Sequence, residues 1–180
     1  MRDDGRHVLF VCEGSAESAI IETLVESGML GVPDDRIERD PESDAPYTTR
    51  RSGGAVTDAF LNWDYEGGPL RIIRIADSRN ERFKLRRGYE ERATVETLLT
   101  RPEIEILVIL REHAYDQWRK SRMPANRYCK ERLGMPDVKR YEFIKEYWSD
   151  VDALCAAIHE YRRVHRFEPG ERCLEEPLES

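Results

Sequence analysis

The first clear feature of the hydrophobic pattern is an unbroken run, His7–Cys12 (HVLFVC), followed at once by the polar turn Glu13-Gly14-Ser15. A β-branched and aromatic run without alternation suits a strand covered on both faces, as in a parallel sheet. From Ala16 the period changes. Ala16, Ile20 and Leu24, flanked by Ile21 and Val25, fall on one face of a helix. Ser15 is the expected N-cap, with Gly28, Gly31 and Pro33 as stops. The opening therefore predicts strand, tight acidic turn and helix, the first half of a βαβ unit.

Leu70–Ala76 (LRIIRIA) is a second predicted strand, ending at Asp77-Ser78. Between the two strands, residues 33–55 are polar, aperiodic and rich in Pro, Asp, Arg and Ser, and 33–69 as a whole reads as a long exposed connection. A charged loop then leads to a helix expected near Tyr89–Leu99. Thr100-Arg101-Pro102-Glu103 has the make-up of a helix start: Thr at the cap, Pro in the first turn, and Glu placed to bond back to the cap. Ile104, Leu107, Val108, Arg111, Tyr115 and Trp118 follow at helical spacing, although Ile104–Leu110 is also β-prone. Met123-Pro124 opens a short helix that ends at Leu133-Gly134. Val138–Phe143 reads as a third strand. Ser149 is the expected cap of a last helix carrying Val151, Leu154, Cys155 and Ile158 on one face. The fold class expected is α/β, a compact three-layer domain whose central, mostly parallel sheet is flanked by helices. It would occupy residues 1–166, with 167–180 as an acidic flexible tail.

Composition narrows the class. Of 180 residues, 39% are apolar and 36% charged, enough for one core of ordinary size. No apolar run reaches the length of a membrane span, and Asp3 and Asp4 stand where a secretory signal would be basic. A cytoplasmic protein without membrane contact is the expectation. Cys12, Cys129, Cys155 and Cys173 form no CxxC pair, which favours reduced thiols over a disulfide framework or a zinc ribbon. The net charge is −7, and it arises in the first third, where 6 Lys/Arg face 13 Asp/Glu. A strongly basic nucleic-acid binder is excluded, but a local basic face is not. Arg71, Arg74, Arg79, Arg82, Lys84, Arg86 and Arg87 make one dense run, and Arg119, Lys120, Arg122, Arg127 and Lys130 a second. No Walker A and no G-x-G-x-x-G motif is present, so no nucleotide cofactor is indicated.

A strand that delivers Cys12 into a turn has the layout of a low-molecular-weight tyrosine phosphatase. That chemistry needs an arginine about six residues on to hold the phosphate, and here the loop carries Glu13 and Glu17 instead. Two carboxylates suit the opposite ligand. Glu13 leaves the carboxyl end of a buried strand and Glu17 lies one helical turn on, so both can reach one hard cation such as Mg2+. The plainer alternative is that Glu17 complements the helix N-terminus and Glu13 is solvated. His113, near Asp116, is either a base or an ordinary hydrogen-bonded histidine. Tyr141, Phe143, Tyr147 and Trp148, beside Lys139 and Arg140, are either core aromatics or a base-stacking platform.

The segment VLFVCEGSAESAIIETL resembles the first motif of Toprim domains, nearest to the nuclease branch of OLD (overcoming-lysogenization-defect) and RloB-like proteins. The pattern there is an apolar strand, V-x-E-G-x-x-E, and a helix. The resemblance implies that Glu13 is the essential first-motif glutamate and Glu17 its helical companion. LRIIRIADSRNE is similar to the strand of the second motif and supplies its first aspartate, Asp77. The second D-x-D position holds Arg79, which leaves Glu81 as the nearest acid. Thr100–Glu105 is similar to a third RloB-like segment and would give Glu105 a metal-binding role. What the resemblance implies is a Mg2+- or Mn2+-dependent nuclease, with Glu13 and Asp77 catalytic and Glu13, Glu17, Asp77, Glu81 and Glu105 around the metal. Arg79, Arg82 and Lys84 are the expected nucleic-acid contacts. Phage or mobile-element defence would be the setting, with DNA or RNA, and a protein from the same operon, as partners. The alternative is a catalytically degenerate Toprim-like module that binds nucleic acid or a partner protein. Metal-assisted hydrolysis requires that Glu13 and Asp77 meet at one edge of the sheet.

Overall fold

The structure, a computed structural model, describes residues 4–77 and 83–178. Arg79, Glu81 and Arg82 lie outside the described residues. Three strands, β1 (Val8–Cys12), β2 (Leu70–Ala76) and β3 (Ala93–Leu99), pair in the order β1-β2-β3, all parallel. Every residue of β1 and β2 is buried, the continuous apolar signature of a sheet covered on both faces.

The period of two divides these strands between two cores. Val8, Phe10 and Cys12 of β1, with Ile73 and Ile75 of β2, join the larger cluster. That face carries α1 (Ser15–Glu26), α3 (Ile106–Arg111), α5 (Ala125–Glu131), α6 (Tyr141–Tyr147) and α7 (Val151–Val164). Leu9, Val11, Leu70 and Ile72 face the other way and pack on Val56 and Phe60 of α2 (Gly53–Phe60). The molecule is thus an α/β domain with a parallel sheet between helices. No helix among the described residues is long and apolar enough to cross a membrane.

Both sheet edges are closed by segments expected to be loose. The 33–69 connection is exposed at many positions but is not loose, for it holds α2 and runs along the free edge of β1. Glu38 N–H donates to Val8 O at 2.8 Å, Thr48 N–H to Phe10 O at 2.8 Å and Cys12 N–H to Thr48 O at 2.9 Å. At the other edge Leu99 N–H donates to Arg172 O at 2.9 Å, and Cys173, Leu174 and Leu178 are buried. The region expected as a flexible tail is therefore docked on the sheet edge through Arg172–Leu178, while 168–170 are exposed. Unpaired edge groups are costly if left dry and invite association if left wet, so a parallel sheet of three strands gains from both covers.

Other expectations fail for identifiable reasons. Tyr89–Leu99 is not a helix: its β-branched Thr94, Val95 and Thr97 enter β3 and pair with β2. Thr100 does not cap a helix, because its N–H continues the sheet ladder to Ala76 O at 3.0 Å. Glu103, cast as the returning half of the capping box, instead accepts Asn126 N–H of α5 at 2.9 Å. The helix begins only at Ile106, and His113 (φ 52°) separates α3 from α4 (Tyr115–Ser121). Val138–Phe143 is no strand; Ile144 and Trp148, four apart, are buried from α6 and its C-cap. Gly14 rather than Ser15 stands at the cap of α1, and Asp150 rather than Ser149 caps α7, accepting Ala153 N–H at 3.1 Å. The expected α5 and the buried face of α7 are present.

Candidate functional site

Because the strands are parallel, their carboxyl ends share one edge, where open α/β sheets place their sites. Glu13 follows β1, Asp77 follows β2, and the 101–105 segment follows β3. Glu13, Glu17, Asp77, Glu103 and Glu105 all line one cavity of about 240 Å³, with Arg51 and Lys139. Acids far apart in the chain thus converge as the sequence reading required. Asp77 itself is exposed. A neighbouring cavity of about 360 Å³ shares Glu13 and Arg51 and adds the hydroxyl groups of Tyr47, Thr49 and Tyr141.

Each acid has its own environment. Glu13 accepts a hydrogen bond from Arg74 Nη2 at 3.2 Å. The pairing follows from strand parity: Arg74 opposes Val11 in the β1–β2 register, and Glu13 lies two residues beyond on the same face. Glu17 folds back over the start of α1, so a Cβ on Gly14 would stand 2.8 Å from its Oε2. Gly14 has an ordinary extended backbone (φ −147°), so this close approach, not a special φ, is what the missing side chain permits. Burial raises the Glu17 pKa above the usual carboxylate range, and the charge of Asp77 adds to the rise. Glu105 is 2% exposed, and burial, then the charges of Glu103 and Glu17, raise its pKa despite Lys139.

Lys139 Nζ stands 3.5 Å from both Glu103 Oε1 and Glu105 Oε1. Partial burial disfavours its charge, but the two carboxylates more than offset that and hold its pKa above the ordinary value. Cys12 is fully buried, with burial and the charge of Glu17 pushing its thiol pKa well up, the reverse of what a nucleophile needs.

Among the described residues no three His, Cys, Asp or Glu groups are gathered tightly enough to hold an ion as they stand. The donor chemistry nonetheless fits Mg2+ or Mn2+. Magnesium is held through one or two carboxylates with water and substrate oxygens completing the shell, and the neighbouring acid charges that help raise the pKa values of Glu17 and Glu105 would be offset by a cation.

The expected phosphate contacts fare differently. Arg79 and Arg82 lie outside the described residues. Lys84 is exposed and does not line the acid cavity, its backbone lying against Gly53, where a Cβ would sit 2.2 Å from Lys84 O. Arg71 and Arg74, from the same basic run, are buried in ion pairs with Glu96 and Glu13. The cations that do line the cavity are distant in the chain: Arg51 is 38 residues from Glu13 and 26 from Asp77, and Lys139 is 62 residues from Asp77 and 126 from Glu13, so no local spacing ties them to the acids. His113 is exposed and does not line the acid cavity, lying instead in another cavity with Asp116 and Glu160. Trp148 is fully buried beneath Arg111, which also covers Tyr147, so Trp148 is a core residue, whereas Tyr141, Phe143 and Tyr147 are half-buried and Tyr141 lines the cavity beside Glu13. Compared with protein-family models, curated proteins and solved structures, the chain finds no match.

Proposed function

We propose that this chain is a Mg2+- or Mn2+-dependent nuclease, or the nuclease-like subunit of one, hydrolysing phosphodiester bonds of nucleic acid. The observation that carries this reading is the meeting of Glu13, Glu17, Asp77 and Glu105 at one cavity on the carboxyl edge of the parallel strands. A cytoplasmic setting in phage or mobile-element defence, with a partner protein, rests on the resemblance of the first motif to Toprim nucleases.

Glu13, Glu17 and Asp77 are the residues to hold the ion, and Glu105 borders it beside Lys139. Once bound, a divalent ion supplies charge opposite to that developing on the phosphorus oxygens, together with an acidified water. Arg51 and Lys139 are placed to meet phosphate oxygens at the same cavity. Burial raises the Glu17 pKa, so a bound cation would offset part of the cost of holding its carboxylate charged there.

A second reading has a specific observation in its favour. Arg74 already occupies Glu13, and Lys139 already bridges Glu103 and Glu105. Such pairs suit a degenerate module that binds nucleic acid or a protein without cutting. The deciding experiment incubates plasmid and single-stranded substrates with Mg2+ or Mn2+, alongside Glu13→Gln and Asp77→Asn. Nicking lost in both variants supports the enzyme. Intact substrate with salt-dependent retention supports the binder. Neither cleavage nor retention overturns both.

A further inference from the structure

The second basic run, Arg119–Lys130, has no part in the acid site, yet two of its arginines line a separate cavity of about 720 Å³. Glu103 lines both cavities, so the two are neighbours. Arg101, Arg119 and Arg122 oppose that one carboxylate, which is already engaged by Asn126 N–H and Lys139. Arg101 pairs with Glu171 at 2.7 Å. Arg119 and Arg122 are exposed and make no ion pair among the described residues, in a chain where most described arginines have a carboxylate partner. The cavity therefore carries uncompensated positive charge.

Its other property is aromatic. Tyr115 and Trp118 line it, with ring centroids 5.6 Å apart and tilted by 48°. Trp118 is fixed by its indole N–H, which donates to Met123 O at 2.8 Å, so its face is presented in one orientation. Arg119 lies 5.9 Å from the Tyr115 ring centroid, which puts a guanidinium beside the aromatic surface. Arg122 ends α4 with a left-handed backbone (φ 57°), which turns the chain at the rim of the cavity. The volume is that of a small-molecule pocket.

The geometry points to a nucleotide pocket, in which Trp118 and Tyr115 take the base by stacking and Arg119 and Arg122 take the phosphate. Stacking accepts any base, so the aromatic pair alone sets no base preference. The source of the nucleotide is one unit of a single strand, whose next phosphate passes Glu103 to the acid cavity. That last step rests on the nuclease reading, whereas the pocket's affinity does not.

The test is calorimetric titration of the full chain in EDTA, so that no divalent ion is involved. The probes are a nucleoside 5′-monophosphate, the parent nucleoside, inorganic phosphate and hexathymidylate. The monophosphate is expected to bind about tenfold more tightly than either half, and Arg119→Gln or Arg122→Asn to weaken it by about tenfold. Asn is chosen at 122 because it tolerates the left-handed backbone. Should that variant lower the unfolding temperature, Arg119→Gln alone decides. Monophosphate binding that neither arginine variant weakens, or no saturation by any probe up to about 1 mM, overturns the pocket. Tighter binding of hexathymidylate than of the monophosphate supports the strand route; equal binding overturns that route and leaves a pocket for free nucleotides. Binding in EDTA without any cleavage in metal sinks the nuclease reading alone, and cleavage without this binding sinks the pocket alone.

Discussion

Arg74 and Glu13 meet across the β1–β2 pair, Nη2 to Oε1 at 3.2 Å, with 6% and 20% of their side chains exposed. The guanidinium also lies 4.8 Å from the Phe83 ring centroid. A cation buried in a sheet thus sits directly behind the first acid of the candidate site, lowering the cost of that carboxylate's charge.

Breaking this pair is expected to be asymmetric. Arg74→Met takes a buried cation away from Glu13 and should cost about 2–4 kcal/mol, the low side of a buried-pair loss because Glu13 keeps some solvent. Glu13→Gln keeps a hydrogen-bonding group and should cost about 1 kcal/mol. Urea unfolding of both variants and the double variant gives the coupling, expected at about 1–2 kcal/mol. A coupling near zero would mean that the pair contributes nothing to the fold.

Two carboxyls should shift stability with pH in opposite directions. Burial alone would raise the Glu96 pKa, but Arg71 and Arg172 override it and hold the group below its usual range. Its stabilisation is therefore complete above the unfolded value of about 4.5 and lost as pH falls through the lower folded value. Glu17 has the reverse sign, with a raised folded pKa that makes its contribution greatest in acid and lost as pH rises through that value. Glu17→Gln should raise the unfolding temperature at pH 7 by about 2–4 °C and lose that advantage towards pH 4. Glu96→Gln should lower it at pH 7 and converge with the parent chain in acid. Thermal melts across this range check both signs.

Lys139 competes with any ion at the acid cavity, since it stands 3.5 Å from two of the carboxylates. Lys139→Met should tighten Mn2+ binding by about three- to tenfold, read as a larger thermal shift at fixed metal concentration. If hydrolysis occurs, the same change should slow it, because the cation facing the phosphate is gone. Unaltered Mn2+ response would remove Lys139 from the site.

The carboxyl-terminal segment is expected to be structural. Glu96 of β3 is gripped by Arg172 as well as by Arg71, and Leu174 is fully buried. Leu174→Ala should cost about 2–5 kcal/mol in denaturant unfolding. Truncation after Arg166 should open the β3 edge and bring concentration-dependent association, visible by light scattering.

What could be read locally was strong and periodic. β1, β2, α1, α5 and α7 follow from runs such as HVLFVC and LRIIRIA or from apolar residues at helical spacing. β3 was hidden because only part of it is buried, so Thr94, Glu96 and Thr97 break the apolar run. Thr100–Glu103 carried a sound capping pattern, yet sheet pairing took the Thr100 N–H and α5 took the Glu103 carboxylate. Tertiary hydrogen bonds outweighed a local motif worth about 1 kcal/mol.

The chain's own order of residues sufficed to set a buried parallel strand, an acidic turn and a helix, because side-chain period reports burial directly. It also supplied the acids Glu13, Glu17, Asp77 and Glu105. Only the tertiary structure decided that they line one cavity, that Arg74 stands behind Glu13, and that Arg51 and Lys139 are the cations in front. Electrostatic interaction depends on distance in space, and that distance is set by strand register and helix packing rather than by separation along the chain.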